Sequence, residues 1–205
     1  MPRMEQLRLI VGLGNPGAEY ARTRHNVGFV VVQLLVERWQ AHWAMQRRFH
    51  SRVARAKRAE RRVLLVQPQT FMNASGEAVA AMTAFYRIEP GGVLAIVDDA
   101  DLPLGEIRLR PSGGTGGHHG LESLTQHLGT SEVSRLRIGI GRQAEAREIT
   151  GHVLGRFTQA EAEIMEKVLR VAADQAQCWL EVGVQKAMND FNGVVLPSES
   201  EGNKQ

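Results

Sequence analysis

The chain has 205 residues, 43% of them hydrophobic and 23% charged, the balance of a folded globular protein rather than a disordered or fibrous one. Its one cysteine, Cys178, excludes a disulfide framework and a cysteine-built zinc site. A formal charge of +3 and a pI of about 9.4 permit a nucleic-acid partner without requiring one. At this length a chain buries roughly 70% of the surface it exposes when unfolded, so one domain is expected over residues 1–197, followed by a polar, frayed tail over 198–205. Cysteine usage fits the reducing cytoplasm. No uncharged apolar stretch is long enough to span a bilayer, and Arg3, Glu5 and Arg8 leave no room for a signal peptide.

The apolar run Arg8 to Leu13, ending in glycines, predicts a buried strand, followed by a loop from Gly14 to His25. From Asn26, as N-cap, to about Trp43 the chain is apolar nearly all round, with Gln33, Glu37 and Gln40 at helical spacing. Two β-rich stretches follow near 51–57 and 62–67. An alanine-rich helix is expected between about Ala74 and Arg87, closed by Glu89-Pro90-Gly91-Gly92. Val93 to Val97 reads as a second buried strand ending at Asp98, and 106–110 alternates like a half-exposed one. The turn Gly113 to Gly117 opens a helix of about ten residues, and Leu136 to Ile140 supplies a further strand. Thr158-Gln-Ala-Glu161 has the spacing of a capping box at the head of a long amphipathic helix running past Trp179. Strands interleaved with helices argue for a single three-layer α/β domain, a mixed twisted β-sheet flanked by helices.

Four features carry possible chemistry. Gly12-Leu-Gly-Asn-Pro-Gly17 formally matches the glycine pattern of a dinucleotide-binding loop, but Pro16 and further loop residues separate it from any helix start, and a tight turn accounts for it as well. Three loops leave expected strand ends carrying reactive or hydrogen-bonding groups: the first brings Asn15, Tyr20 and His25, another brings Phe71, Met72 and Asn73, and the strand ending at Val97 delivers Asp98. An Asp98–His25 pair there has the makings of a general base for water, the alternative being a capping histidine and a turn aspartate. Arginines crowd between Arg47 and Arg62 with Glu60 as the lone acid; that segment reads either as a polyanion site or as a solvated hairpin whose charge guards an edge strand. Arg108, Arg110, Arg135, Arg137 and Arg142 add candidate phosphate contacts. Gly113-Gly-Thr-Gly-Gly-His-His-Gly120, just before a helix, offers backbone N–H groups for an anion or carbonyl, while its adjacent histidines lack the spacing of a metal motif.

Taken in order, Gly12 to Gly28, Gln67 to Gly76, Asp98 to Gly105, Gly113 to Leu121 and Leu136 to Arg142 resemble the bacterial peptidyl-tRNA hydrolases, and the resemblance spans nearly the whole chain. It implies cleavage of the ester joining a peptide to the 3′ ribose of tRNA, recycling the tRNA. The enzyme would be a cytoplasmic monomer with peptidyl-tRNA as partner and with no metal, cofactor or membrane. By position it implies His25 as base toward water, Asp98 as its orienting carboxylate, and Asn15 as a discriminator between blocked and free amino ends. Asn73 would contact substrate and place the water, and Tyr20 and Phe71 would line the channel for the tRNA 3′ end and peptide. His119 stands where the family often has a substrate-binding asparagine, and Thr115 where some members have histidine. Two other classes stay open: an RNA-binding module without catalysis, and a nicotinamide-dependent oxidoreductase using Gly12 to Gly17.

Overall fold

Leu9, Ile10 and Val11 alternate faces in the first strand, β1 (Arg8–Gly12), yet all three are fully buried. A strand buried on both faces belongs in the middle of a sheet covered by helices on both sides. In the computed structural model, which describes residues 6–141 and 149–195, β1 lies between β4 (Arg61–Pro68) and β5 (Val93–Asp99), parallel to both. Outward from β4 come β3 (Ser51–Arg58) and the short edge strand β2 (Ala44–Gln46), each antiparallel to its inner neighbour. On the other side β7 (Ser134–Gly139) runs parallel to β5, followed by antiparallel β6 (Glu106–Arg110) and β8 (Gly193–Val194). The order is β2-β3-β4-β1-β5-β7-β6-β8, one mixed sheet.

The helices divide between its faces. One core joins α1 (Val27–Arg38) and α5 (Gln159–Glu181) to Ile10, Leu65, Leu94, Ile96, Leu136 and Ile138. The other joins α2 (Ser75–Tyr86) and α3 (His119–Leu128) to Leu9, Val11, Leu64, Val66 and Val97. The expected three-layer α/β domain is the fold observed. Among the described residues α4 (Ile149–Val153) and α6 (Val184–Phe191) complete the helices, neither of them anticipated.

The first helix stops at Arg38 rather than near Trp43. Gln40 takes the left-handed conformation, φ 52°, and the Ala41 N–H donates to Val36 O, closing the helix in a Schellman-type turn with no glycine to announce it. The chain then turns back as β2, and the Trp43 indole N–H donates to Gln33 Oε1 at 2.8 Å. Asn26 does not cap the helix with its side chain, which is used elsewhere. The tail 198–205 and Arg142 lie outside the described residues.

The glycine loop after β1 is no dinucleotide loop, because α1 begins ten residues beyond Gly17, after a 3-10 turn over Arg24–Asn26. Gly12 has another use: a Cβ there would stand 2.1 Å from Gly28 O, so its absence lets α1 lie against the strand end. Gly12→Ala should cost about 2–3 kcal/mol in urea unfolding, the range of core overpacking. A loss under about 0.5 kcal/mol would show that helix and strand part freely.

Candidate active site

The four central parallel strands end on the same side, and the loops leaving them enclose a cavity of about 320 Å³. Asn15 enters it from the loop after β1, Phe71, Met72 and Asn73 from the connection after β4, and Asp98 from the end of β5. Ligands of open α/β sheets bind at this edge. Here the sequence places its polar side chains where backbone pairing runs out.

His25 and Asp98 meet as expected. The His25 Nδ1–H donates to Asp98 Oδ1 at 2.8 Å, which leaves Nε2 unprotonated in the neutral ring. A second imidazole shares that oxygen: His118 Nε2 lies 3.0 Å from Asp98 Oδ1, and the two rings stand 5.1 Å apart, tilted by 48°. The Asp98 carboxylate is 2% exposed. Such burial pushes a carboxyl up, but the charge and hydrogen bonds of His118, then those of His25, override it and hold Asp98 well below the usual carboxylate range. His118 is the residue that sequence reasoning missed as a member of the pair's surroundings. Its signal in the sequence is the position of His118 at the start of a helix, in the glycine-rich segment Gly113 to Gly120.

The His25 segment is clamped from the far end of the sequence. The Arg24 N–H donates to Gly155 O at 2.9 Å, Thr23 bridges to Arg156, and the Arg24 guanidinium donates to both oxygens of Glu161 at 2.8 and 3.1 Å. Glu161 belongs to the capping box of α5, found where Thr158-Gln-Ala-Glu161 predicted it. The Arg24 hydrogen bond above all, with help from Thr158 and against the opposing effect of burial, lowers the Glu161 carboxyl from its ordinary value. One carboxylate therefore caps a 23-residue helix and fixes the turn that carries His25.

Asn15 is held as firmly. Its N–H donates to Asn26 Oδ1 at 2.8 Å, its carbonyl accepts from Asn26 Nδ2 at 2.9 Å, and its own Oδ1 accepts from the Met72 N–H at 2.8 Å. Met72 has only a proton to offer there, so the amide orientation is fixed and Nδ2 is left to donate to a ligand. Phe71, 60% exposed, and the exposed Asn73 line the same cavity. Tyr20 does not line it; its ring packs edge-on against Phe71, centroids 6.4 Å apart. His119 sits at the rim, largely in solvent, with Nδ1 3.1 Å from Glu122 Oε2.

The glycine-rich segment is held by β7. Arg137 donates to Asp99 Oδ2 at 2.9 Å and to Gly114 O at 2.8 Å, and it also lines the cavity. Arg135 is buried and spends its protons on the carbonyls of Ser131, Val133, Gly113 and Gly114. It is a brace, not a phosphate contact as the sequence suggested. The basic segment Arg47 to Arg62 is spread along an edge hairpin: Arg47 and Arg48 lie at the cavity end, beside the Gln69 N–H to His50 O bond, whereas Arg61 and Arg62 open β4 at the opposite end.

Ligating atoms of His25, Asp98 and His118 lie within 4.8 Å of one another, the closest approach to a metal set among the described residues. Both imidazole nitrogens, however, are at hydrogen-bonding distance from one carboxylate oxygen. Those protons account for the spacing.

Comparison with known proteins identifies one family. The family model described as peptidyl-tRNA hydrolase matches residues 9–201. A peptidyl-tRNA hydrolase of Synechococcus sp. (strain JA-3-3Ab) is 47% identical over 191 residues, 93% of this chain and 85% of that protein. One of Geobacillus kaustophilus is 45% identical over 186 residues, 91% of this chain and all of the relative. The crystal structure of peptidyl-tRNA hydrolase from Acinetobacter baumannii superimposes with a TM-score of 0.87 at 37% identity, covering 95% of this chain and 99% of that one.

The Arg24–Glu161 clamp has a pH signature. Arg24 is 3% exposed and Glu161 24%, so Arg24→Met should cost about 2–3 kcal/mol at neutral pH, less than the roughly 3–5 kcal/mol of a fully buried pair because solvent reaches the carboxylate left behind. Because the Glu161 carboxyl is lowered in the folded chain, the clamp's contribution is complete above the unfolded carboxylate value of about 4 and is lost as pH falls further. The stability gap between wild type and variant should therefore hold from pH 8 to 5 and narrow below about 4 in urea titrations. A gap that stayed constant to pH 2.5 would contradict it.

Proposed function

The chain belongs to the peptidyl-tRNA hydrolase family and hydrolyses the ester between peptide and tRNA, and we infer that it does so by using His25 as a general base toward water. The observation that carries this reading is the 2.8 Å bond from His25 Nδ1 to Asp98 Oδ1, which commits one ring nitrogen and leaves Nε2 as a base. Nε2 takes a proton from water as its oxygen attacks the ester carbonyl. Collapse of the tetrahedral intermediate breaks the bond to the ribose oxygen, and the imidazolium returns its proton to that leaving oxygen. The products are a peptide carboxylic acid, which ionises, and tRNA with its terminal hydroxyl restored for reuse.

The ester is already activated, so one base, a placed water and a few amide donors suffice. Asn15, held by Met72, offers Nδ2 to a carbonyl of the peptidyl end, and a free ammonium would meet a donor there with no acceptor to receive it. Asn73 contacts substrate and helps to place the water. Phe71, with Tyr20 packed behind it, gives the 3′ end and peptide an aromatic wall, and His119 meets substrate at the rim. Arg137, with Arg47 and Arg48 at the same end of the sheet, offers cations to tRNA phosphates, which position the substrate without reading its bases. We propose that the protein works as a monomer in the cytoplasm, without a metal, as one domain over 1–197. No helix of the described residues is long and apolar enough to cross a membrane. A pure RNA binder would have no use for an oriented base in a cavity.

Offering N-blocked and free aminoacyl-tRNA side by side should show rapid deacylation of the blocked form alone. His25→Ala should lower kcat on the blocked substrate by about 10² to 10⁴, the usual weight of a general base, in a protein that still folds, with an unfolding temperature lowered by the loss of one of the two donors to Asp98. Near wild-type turnover in that variant would remove His25 from the chemistry.

A further inference from the structure

Two imidazoles compete for one oxygen of Asp98. His25 reaches it through Nδ1 at 2.8 Å and His118 through Nε2 at 3.0 Å. The other nitrogen of His118 is also occupied, because Nδ1 accepts the Leu121 N–H at 3.3 Å and so serves as the N-cap of α3. A nitrogen that accepts carries no proton, so the neutral His118 ring has its proton on Nε2, facing the carboxylate. The side chain is 8% exposed, which leaves the ring little room to turn over.

We propose that His118 is a positioning residue for the hydrolysis: locked by the start of α3 as the Nε2–H tautomer, it takes part of the acceptor capacity of Asp98 Oδ1 and so limits how strongly that carboxylate holds the proton of His25. The proposal rests on His25 being the base. Asp98 has two tasks that conflict. It must orient the ring through Nδ1–H, yet a carboxylate with no other donor would stabilise the imidazolium so well that the base would stay protonated at higher pH. The second donor, itself on the cavity wall, moderates that pull. Around His25 the charged and titratable groups are Asp98 and His118 in contact, Asp99, Asp101, Arg137 and His119 on the walls of the same cavity, and Arg24 next in sequence, turned to Glu161. Of these, His118 alone touches the Asp98 oxygen that His25 uses.

Two substitutions separate the bond to Asp98 from the helix cap. His118→Asn keeps an acceptor near the Nδ1 position and preserves the cap, but its amide is too short to reach Asp98. His118→Gln extends an amide N–H to about the Nε2 position and gives up the cap. With N-blocked aminoacyl-tRNA as substrate, the acid limb of kcat/KM should move to higher pH by about 0.5–1 unit in His118→Asn. It should stay near the wild-type position in His118→Gln, whose unfolding temperature should fall instead. An acid limb unmoved in His118→Asn, with the loss confined to stability in His118→Gln, would overturn the proposal and leave His118 a helix cap. Nitrogen-15 spectra of the wild-type histidines give a readout independent of turnover: His118 should carry its proton on Nε2 and His25 on Nδ1. A proton on His118 Nδ1 would overturn the proposal even if neither variant folded. Failure of the His25 reading would show differently, as turnover that persists in His25→Ala.

Discussion

A single buried oxygen organises the site. Asp98 Oδ1 lies at the end of a central strand with almost no access to solvent, and a charge in such a place is tolerated only when donors surround it. Neither donor comes from the neighbourhood of Asp98 in sequence. His25 arrives from the loop after β1, 73 residues earlier, and His118 from the start of α3, 20 residues later. Folding must bring three distant segments to one point before the carboxylate can stay ionised. The His25–Asp98–His118 cluster is therefore a product of the tertiary structure.

That demand explains close packing that composition alone does not. A Cβ on Gly76 would stand 2.0 Å from Ser123 O, and the Gly76 N–H instead donates to Ser123 Oγ at 2.9 Å, so α3 is pressed against the head of α2. A Cβ on Gly120 would collide with Met72 and Leu13 side chains at 2.6 and 2.8 Å. These contacts fix the height at which α3 begins, and with it the reach of His118. On the other flank, the half-buried Arg24–Glu161 pair fixes the turn that carries His25. Both histidines are delivered by a helix start or its adjoining turn, each braced by a bond to another layer of the fold.

How much of this was legible in the sequence depends on the kind of signal. Buried strands such as Leu9 to Val11 and Val93 to Val97 announce themselves by unbroken apolar runs, and the capping box at Thr158 by its spacing. The end of the first helix does not, because Gln40 adopts a left-handed backbone that glycine more often marks. His25, Asp98 and Asn15 could be picked out as polar residues at strand ends. His118 could not be joined to them, since its part depends on which ring nitrogen caps α3, a matter of three-dimensional register. Arg135 and Arg137 illustrate the same limit: two strand residues apart and alike in sequence, one is consumed by backbone carbonyls and the other reaches the cavity.

His118 and His119 are neighbours in sequence but differ in how firmly the fold holds them. His118 is enclosed and both its nitrogens are committed, so any replacement must answer to Asp98 and Leu121 together. His119 is 73% exposed and, among the described residues, tied to Glu122, one turn along its own helix. Buried geometry thus fixes the His25–Asp98–His118 contacts, while His119 at the rim stands apart from them, so a change of chemistry there leaves those contacts intact.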